Sequence, residues 1–132
     1  VQDFAFFLQR FQEACSRFDH GAVMACVAED YVGVYRYPGG MQRVYDREAL
    51  AEGWQAASEY FVPAGACLVY RNLALMEREE ERLVASLVDM PAPGGPPGHS
   101  FLLATFAPRG GEWRLVREDM EHRVVPTPGN GG

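Results

Sequence analysis

Apolar residues in the opening segment recur with the period of a helix. Phe4, Phe7, Leu8, Phe11, Cys15 and Phe18 fall at i, i+3, i+4, i+7, i+11 and i+14, which predicts an amphipathic helix with one buried face. Asp19 then stands where an N-cap belongs, and Ala22, Val23, Cys26 and Val27 predict a second, shorter helix. After Glu29 and Asp30 the period changes. Y-V-G-V-Y-R-Y at 31–37 is aromatic and β-branched and runs into Pro38, Gly39 and Gly40, so a strand ends in a turn. Asp46 caps a third helix over R-E-A-L-A-E-G-W-Q-A-A-S-E-Y-F, closed by Pro63 and Gly65.

Beyond that helix every periodic segment is a strand. Segments 67–76 and 82–90 flank an acidic turn at Glu79, Glu80 and Glu81, and 101–107 and 113–124 flank P-R-G-G-E. Two hairpins in succession predict an antiparallel meander. P-A-P-G-G-P-P-G at 91–98 can be neither helix nor ladder and is expected to be a mobile loop, and 126–132 a disordered tail. Helices grouped ahead of strands mean an α+β fold, a single domain over 1–125. The expected shape is a cone: a curved antiparallel sheet with three helices packed in its concave face. Such a cone has a mouth suited to a small molecule.

Composition narrows the partners. The 132 residues carry a net charge of -6, and all 12 cationic side chains are arginine, scattered along the chain. That balance speaks against nucleic acid, which needs clustered basic residues. Apolar runs are too short to cross a membrane, so no membrane partner is expected. Val1 in place of an initiator Met suggests a trimmed or processed start, and the opening residues lack a signal-peptide pattern. A cytoplasmic protein is therefore expected. Cys15, Cys26 and Cys67 form no C-x-x-C pair; buried thiols in a reducing compartment are expected, with no metal and no cofactor.

Three stretches carry a family likeness. Q-R-F-Q-E-A-C-S-R-F-D-H-G-A-V-M-A-C-V-A-E-D at 9–30 combines a helix, an Asp turn, a second helix and an acidic ending. Y-D-R-E-A-L at 45–50 opens the third helix, and G-G-E-W-R-L-V at 110–116 opens the last strand. In order and spacing these resemble the nuclear transport factor 2-like superfamily, which includes SnoaL-like polyketide cyclases, ketosteroid isomerases and scytalone dehydratase. The resemblance implies a cystatin-like roll over about residues 4–124 and, with many functions on one fold, leaves the chemistry to the site. Ketosteroid isomerases use an Asp base and an oxyanion hole made by a Tyr and a protonated Asp. Here the position of that Tyr holds Phe11 and the position of the base holds Tyr35. The strand of the second Asp reads F-L-L-A-T-F, without a carboxylate. Steroid-isomerase chemistry is excluded on this reading.

The last strand, W-R-L-V-R-E-D-M-E-H-R-V at 113–124, divides by a period of two. Residues Val116, Glu118, Met120 and His122 share one face, and Arg117, Asp119, Glu121 and Arg123 share the other. The resemblance implies that the first face lines the cavity and that the second is an outer surface, commonly a homodimer contact. Glu118 is then the candidate acid or base and His122 a second candidate. Alternatively, Glu118 satisfies a buried Arg or Tyr, and His122 sits at a solvated strand end. Phe11, Tyr31, Tyr35, Trp54, Tyr60, Tyr70, Val116 and Met120 are the candidate ligand-binding residues, with Tyr37 and Asp89 as further wall candidates, Asp89 more readily a turn or rim residue at its strand end. Aromatic bodies with a polar tip suit a planar or apolar ligand. Three functions fit: cofactor-free acid/base catalysis as an isomerase, cyclase or lyase, a non-catalytic ligand-binding or dimerisation module, and the accessory small subunit of an oxygenase.

Overall fold

The computed structural model describes residues 2–91 and 98–124. The tail 126–132 and most of the 91–98 loop, of which disorder and mobility are expected, lie outside the described residues. In chain order the elements are α1 (Phe4–Ser16), α2 (His20–Met24), β1 (Val27–Arg36), β2 (Gln42–Tyr45), α3 (Arg47–Phe61), β3 (Val69–Arg78), β4 (Glu81–Met90), β5 (Gly98–Arg109) and β6 (Glu112–Val124). The six strands form one curved, unclosed sheet in the order β2-β1-β6-β5-β4-β3. The fold is α+β.

Three local expectations change. The sheet is not wholly antiparallel, because β1 runs parallel to β6. These strands are far apart in sequence, so no hairpin sets their relative direction. β2, too short for a periodic signal, folds back on β1 through the Pro38-Gly39-Gly40 turn, where Tyr37 N–H donates to the Met41 carbonyl at 2.8 Å. α2 ends at Met24, and Val27 to Asp30 belong to β1. The N–H of Leu115 donates to the Cys26 carbonyl at 2.8 Å, so the approach of β6 claims backbone that local propensity assigned to a helix.

α1 docks on the sheet through the face its periodicity predicts. Phe4, Phe7, Phe11, Cys15 and Phe18 are buried, and Phe4, Phe7 and Phe11 all set their rings edge-on to Phe106 of β5 at centroid distances of 5.4, 5.7 and 5.5 Å. Such edge-to-face pairs add to the area they bury. The Trp113 indole closes this end by donating to the Gln2 carbonyl at 2.7 Å. Cys15 is buried as expected of a thiol, whereas Cys26 is half-buried and Cys67 exposed, because the latter two fall in connections rather than on the α1 core face.

α1 ends on an unusual residue. Phe18 has φ +56, its N–H donates to Cys15 at 3.0 Å, and the N–H of Asp19 reaches back to Ala14 at 3.0 Å. That is the Schellman geometry, usually completed by glycine. Here the left-handed residue is an aromatic whose ring stacks on Phe61 of α3 at 4.7 Å. The side chain of Asp19 then caps α2 through Ala22 N–H at 3.2 Å, and Asp46 caps α3 through Ala49 N–H at 2.8 Å. α3 sets Leu50, Trp54, Ala57 and Phe61 along one stripe, yet only Leu50 is fully buried. The stripe faces a cavity rather than solid core.

Candidate functional site

The site begins with Tyr31, Gly33 and Tyr35, successive inward residues of β1. The parallel register sets Gly33 opposite Glu118 of β6. Both tyrosine hydroxyls donate to one oxygen of that carboxyl group: Tyr31 Oη to Glu118 Oε1 at 2.7 Å, and Tyr35 Oη to the same atom at 2.9 Å. Gly33 makes room for this. A Cβ there would lie 2.2 Å from Tyr31 Oη, 2.9 Å from Tyr31 Cζ and 3.0 Å from Tyr35 Cε1. The two phenols cross the space that any other side chain would fill.

None of the described residues hydrogen-bonds Glu118 Oε2. No buried side-chain oxygen among the described residues lacks a partner, so Oε2 is the atom that faces the open cavity. Glu118 itself is only 7% exposed. Burial pushes its carboxyl above the usual range, and the two phenols partly oppose that shift. Tyr31 and Tyr35 are pushed up in turn, first by burial and then by the neighbouring carboxylate. Tyr70 behaves alike, through burial and then Cys15 and Glu118. The phenols therefore keep their protons and remain donors. With Oε1 taken by both of them, any proton on Glu118 resides on Oε2.

The cavity above this carboxyl group has a volume of about 270 Å³. Phe18, Leu50, Trp54, Tyr70, Leu102 and Met120 supply much of its wall, with Tyr35, Tyr37, Tyr45 and His122. Tyr37 and Tyr45 share a hydrogen bond at 3.0 Å, and burial, then that bond, pushes the Tyr37 hydroxyl up to about 12. His122 lies four residues beyond Glu118 on the same strand face, about 13 Å away by strand rise. Its Nδ1 is 2.9 Å from Ser100 Oγ, and burial and then His99 push the imidazole below its ordinary value. The ring lies against Gly98, where a Cβ would come within 2.6 Å of Cε1.

Of the residues singled out from sequence, Tyr35, Tyr37, Trp54, Tyr70, Glu118, Met120 and His122 are on the cavity wall. Five others are elsewhere. Phe11 belongs to the α1 core and borders a second cleft, and Tyr31 is buried behind Glu118. Tyr60 is 62% exposed on the outer side of α3, one residue from the inward Phe61. Val116 is the unpaired residue of a β-bulge, since Thr105 pairs with Arg117 and Phe106 with Leu115. The bulge exchanges the faces of β6. Trp113 and Leu115 point inward before it, and Glu118, Met120 and His122 after it, so a strict alternation misplaces Val116. Asp89 stands off the wall and pairs with His99 at 2.6 Å. Phe18, Tyr45 and Gly33 were missed. Y-V-G-V-Y was the available signal for Gly33, a glycine between two inward aromatics.

The face opposite Glu118 carries a bidentate ion pair between Arg117 and Asp119, with bonds of 3.0 and 3.1 Å, and an Arg123–Glu121 pair. No group of three or more His, Cys, Asp or Glu among the described residues is placed to hold a metal ion, and none of their helices is long and apolar enough to cross a membrane.

No protein-family model matches the chain, and no curated protein matches its sequence. Solved structures do match. An NTF2-like protein of unknown function from Silicibacter pomeroyi superposes with a TM-score of 0.71 at 15% identity, over 91% of this chain and 92% of that one. The chain has the NTF2-like fold. A ketosteroid isomerase-like protein from Erwinia carotovora atroseptica shares this NTF2-like architecture at 21% identity and a TM-score of 0.63, covering 90% of this chain and 92% of its own. So does a protein of unknown function with a cystatin-like fold from Nostoc punctiforme, at 17% identity and a TM-score of 0.60 over 91% and 88% of the two chains. At these identities the likeness is one of fold. What the NTF2-like scaffold does here has to follow from the side chains in its cone, and the carboxyl group in that cone comes from β6.

Proposed function

We propose that the chain binds a small, largely apolar or planar molecule in the cone and exchanges a proton with it through Oε2 of Glu118, as a cofactor-free acid or base. The observation that carries this is the asymmetry of the carboxyl group. Two phenols occupy Oε1, and Oε2 faces an aromatic cavity. A carboxyl group raised by burial and fixed by two donors is oriented before a ligand arrives, which acid/base work needs. His122 is the second polar group that a bound molecule meets, toward the far end of the wall.

Titration calorimetry with indole tests the reading. Its planar body fits the cavity and its N–H can donate to Oε2. Saturable binding should appear, and Glu118→Leu should weaken it about tenfold by leaving the N–H without an acceptor. Benzothiophene, with sulfur in place of N–H, should be nearly indifferent to that change. No saturable binding of indole would reject the pocket, and equal affinity in the variant would reject the role of Oε2.

The reading extends to a homodimer through the outer face of the sheet. Phe101 is 47% exposed there, between Leu87 on β4 and Glu121 on β6. An exposed aromatic among apolar and paired charged neighbours is the composition of a contact surface. Phe101→Arg should convert a sedimenting dimer into a monomer while leaving the circular dichroism unchanged. A wild-type chain that sediments as a monomer at high micromolar concentration would end this part of the reading.

A further inference from the structure

The cavity holds an acid without a counter-cation. Among the described residues lining it there is no arginine, and the chain contains no lysine. The ionisable groups of the wall are Glu118, His122 and four tyrosines. The positive charge near β6 is spent elsewhere: Arg117 and Arg123 face outward and are held by Asp119 and Glu121. Arg47, the first residue of α3, donates to the carbonyls of Met24 and Val27. Among the described residues nothing in the wall neutralises the carboxylate of Glu118, and one of its oxygens is left open to whatever enters.

We infer that the molecule bound in this cone is a hydrophobic amine, held as an ammonium against Oε2 of Glu118. This rests on the proposed pocket and specifies its ligand. The amine supplies the counter-charge that the protein omits, in a site where an unpaired buried charge is strongly disfavoured. Its proton balance is simple. A free amine takes the proton from Oε2, breaking the O–H bond and forming N–H, and an amine arriving protonated meets the carboxylate; both routes end in the same ion pair. The two phenols on Oε1 stabilise the carboxylate in that pair.

The wall suits the remainder of such a molecule. Tyr35 and Tyr45 set their rings 4.8 Å apart and tilted by 64°, and Trp54 lines the same cavity. Aromatic faces attract a cation, more so when water is excluded. The volume of about 270 Å³ accommodates one ring with a short side chain. An anionic ligand would place like charges together with no arginine between them. The cone therefore ranks ligands by charge, with cations first, neutral molecules second and anions last.

Calorimetry with 2-phenylethylamine, 2-phenylethanol and phenylacetate at neutral pH tests this, since the three differ mainly in charge. The amine should bind about tenfold more tightly than the alcohol, and phenylacetate about tenfold more weakly. Glu118→Gln should reduce the amine's advantage to within about twofold while retaining the alcohol. An alcohol that binds the wild-type protein as well as the amine overturns the inference and leaves the pocket standing. A preference that persists in Glu118→Gln overturns the assignment to this residue. If neither these three nor indole bind, the pocket itself fails and the inference with it. Should Glu118→Gln not fold, the wild-type comparison decides alone, because it requires no variant.

Discussion

Gly33→Ala should destabilise the protein by about 2–4 kcal/mol and disconnect Glu118 from its tyrosines. The added methyl group would sit 2.2 Å from Tyr31 Oη and 2.9 Å from Cζ, and the Tyr35 ring closes the other side at 3.0 Å. Tyr31 is only 2% exposed, so its ring has nowhere to turn. The hydroxyl must withdraw from Oε1, and a buried carboxyl group then loses a donor. Tyr31→Phe should cost about 1–2 kcal/mol, because it removes the same hydrogen bond without a clash. It also removes the atom nearest the new methyl, so the double variant should be less damaged than the two single effects added, by about 1 kcal/mol. Chemical denaturation of the four proteins measures this. Strict additivity would show that the glycine serves the backbone and not the tyrosine contact.

Glu118→Gln should change how stability varies with pH more than it changes stability at any one pH in acid. Burial raises the folded-state pKa of Glu118 above its unfolded value. The native protein therefore holds this proton to higher pH than the unfolded chain does. Its stability is greatest below the ordinary Glu value of about 4.3 and declines as pH rises through the raised folded value, by about 1.4 kcal/mol per unit of displacement. His122 acts in the opposite direction. Its pKa is lowered in the fold, so its contribution is complete above the ordinary value of about 6.5 and lost as pH falls. The informative quantity is thus the difference between the variant and the wild type, from which His122 cancels. That difference should grow in favour of the glutamine from pH 4 upward and then level off. A flat difference between pH 4 and 9 would mean that Glu118 titrates as it does in water.

Part of this site is legible in the linear chain, and the illegible part has identifiable causes. Glu118 stands out by its place among apolar alternating neighbours. Trp54 and Tyr70 stand out as large aromatics with helical or strand spacing. Tyr60 is misjudged because a helix turns 100° per residue, and only the docking of α3 decides whether Tyr60 or Phe61 faces inward. Val116 is misjudged because one extra residue in β6 exchanges its two faces, and no residue type in V-R-E announces a bulge. Gly33 is read as an unremarked strand residue, since nothing local records that two phenols need its space.

The order and type of the elements are properties of the sequence itself. Periodicity, Asp caps and Pro/Gly turns act within a few residues, so three helices, the four long later strands and an α+β fold follow without any tertiary contact. Tertiary structure alone decided the rest. It set β1 parallel to β6, drew Val27 to Asp30 from a helix into a strand, and brought Tyr31 and Tyr35 to Glu118 across more than eighty residues of chain. Local patterns carry no information about which strand lies beside which or where a bulge resets the register. Both follow from how the helices and sheet can bury their apolar faces together, and the carboxyl group at the base of the cone is a product of that packing.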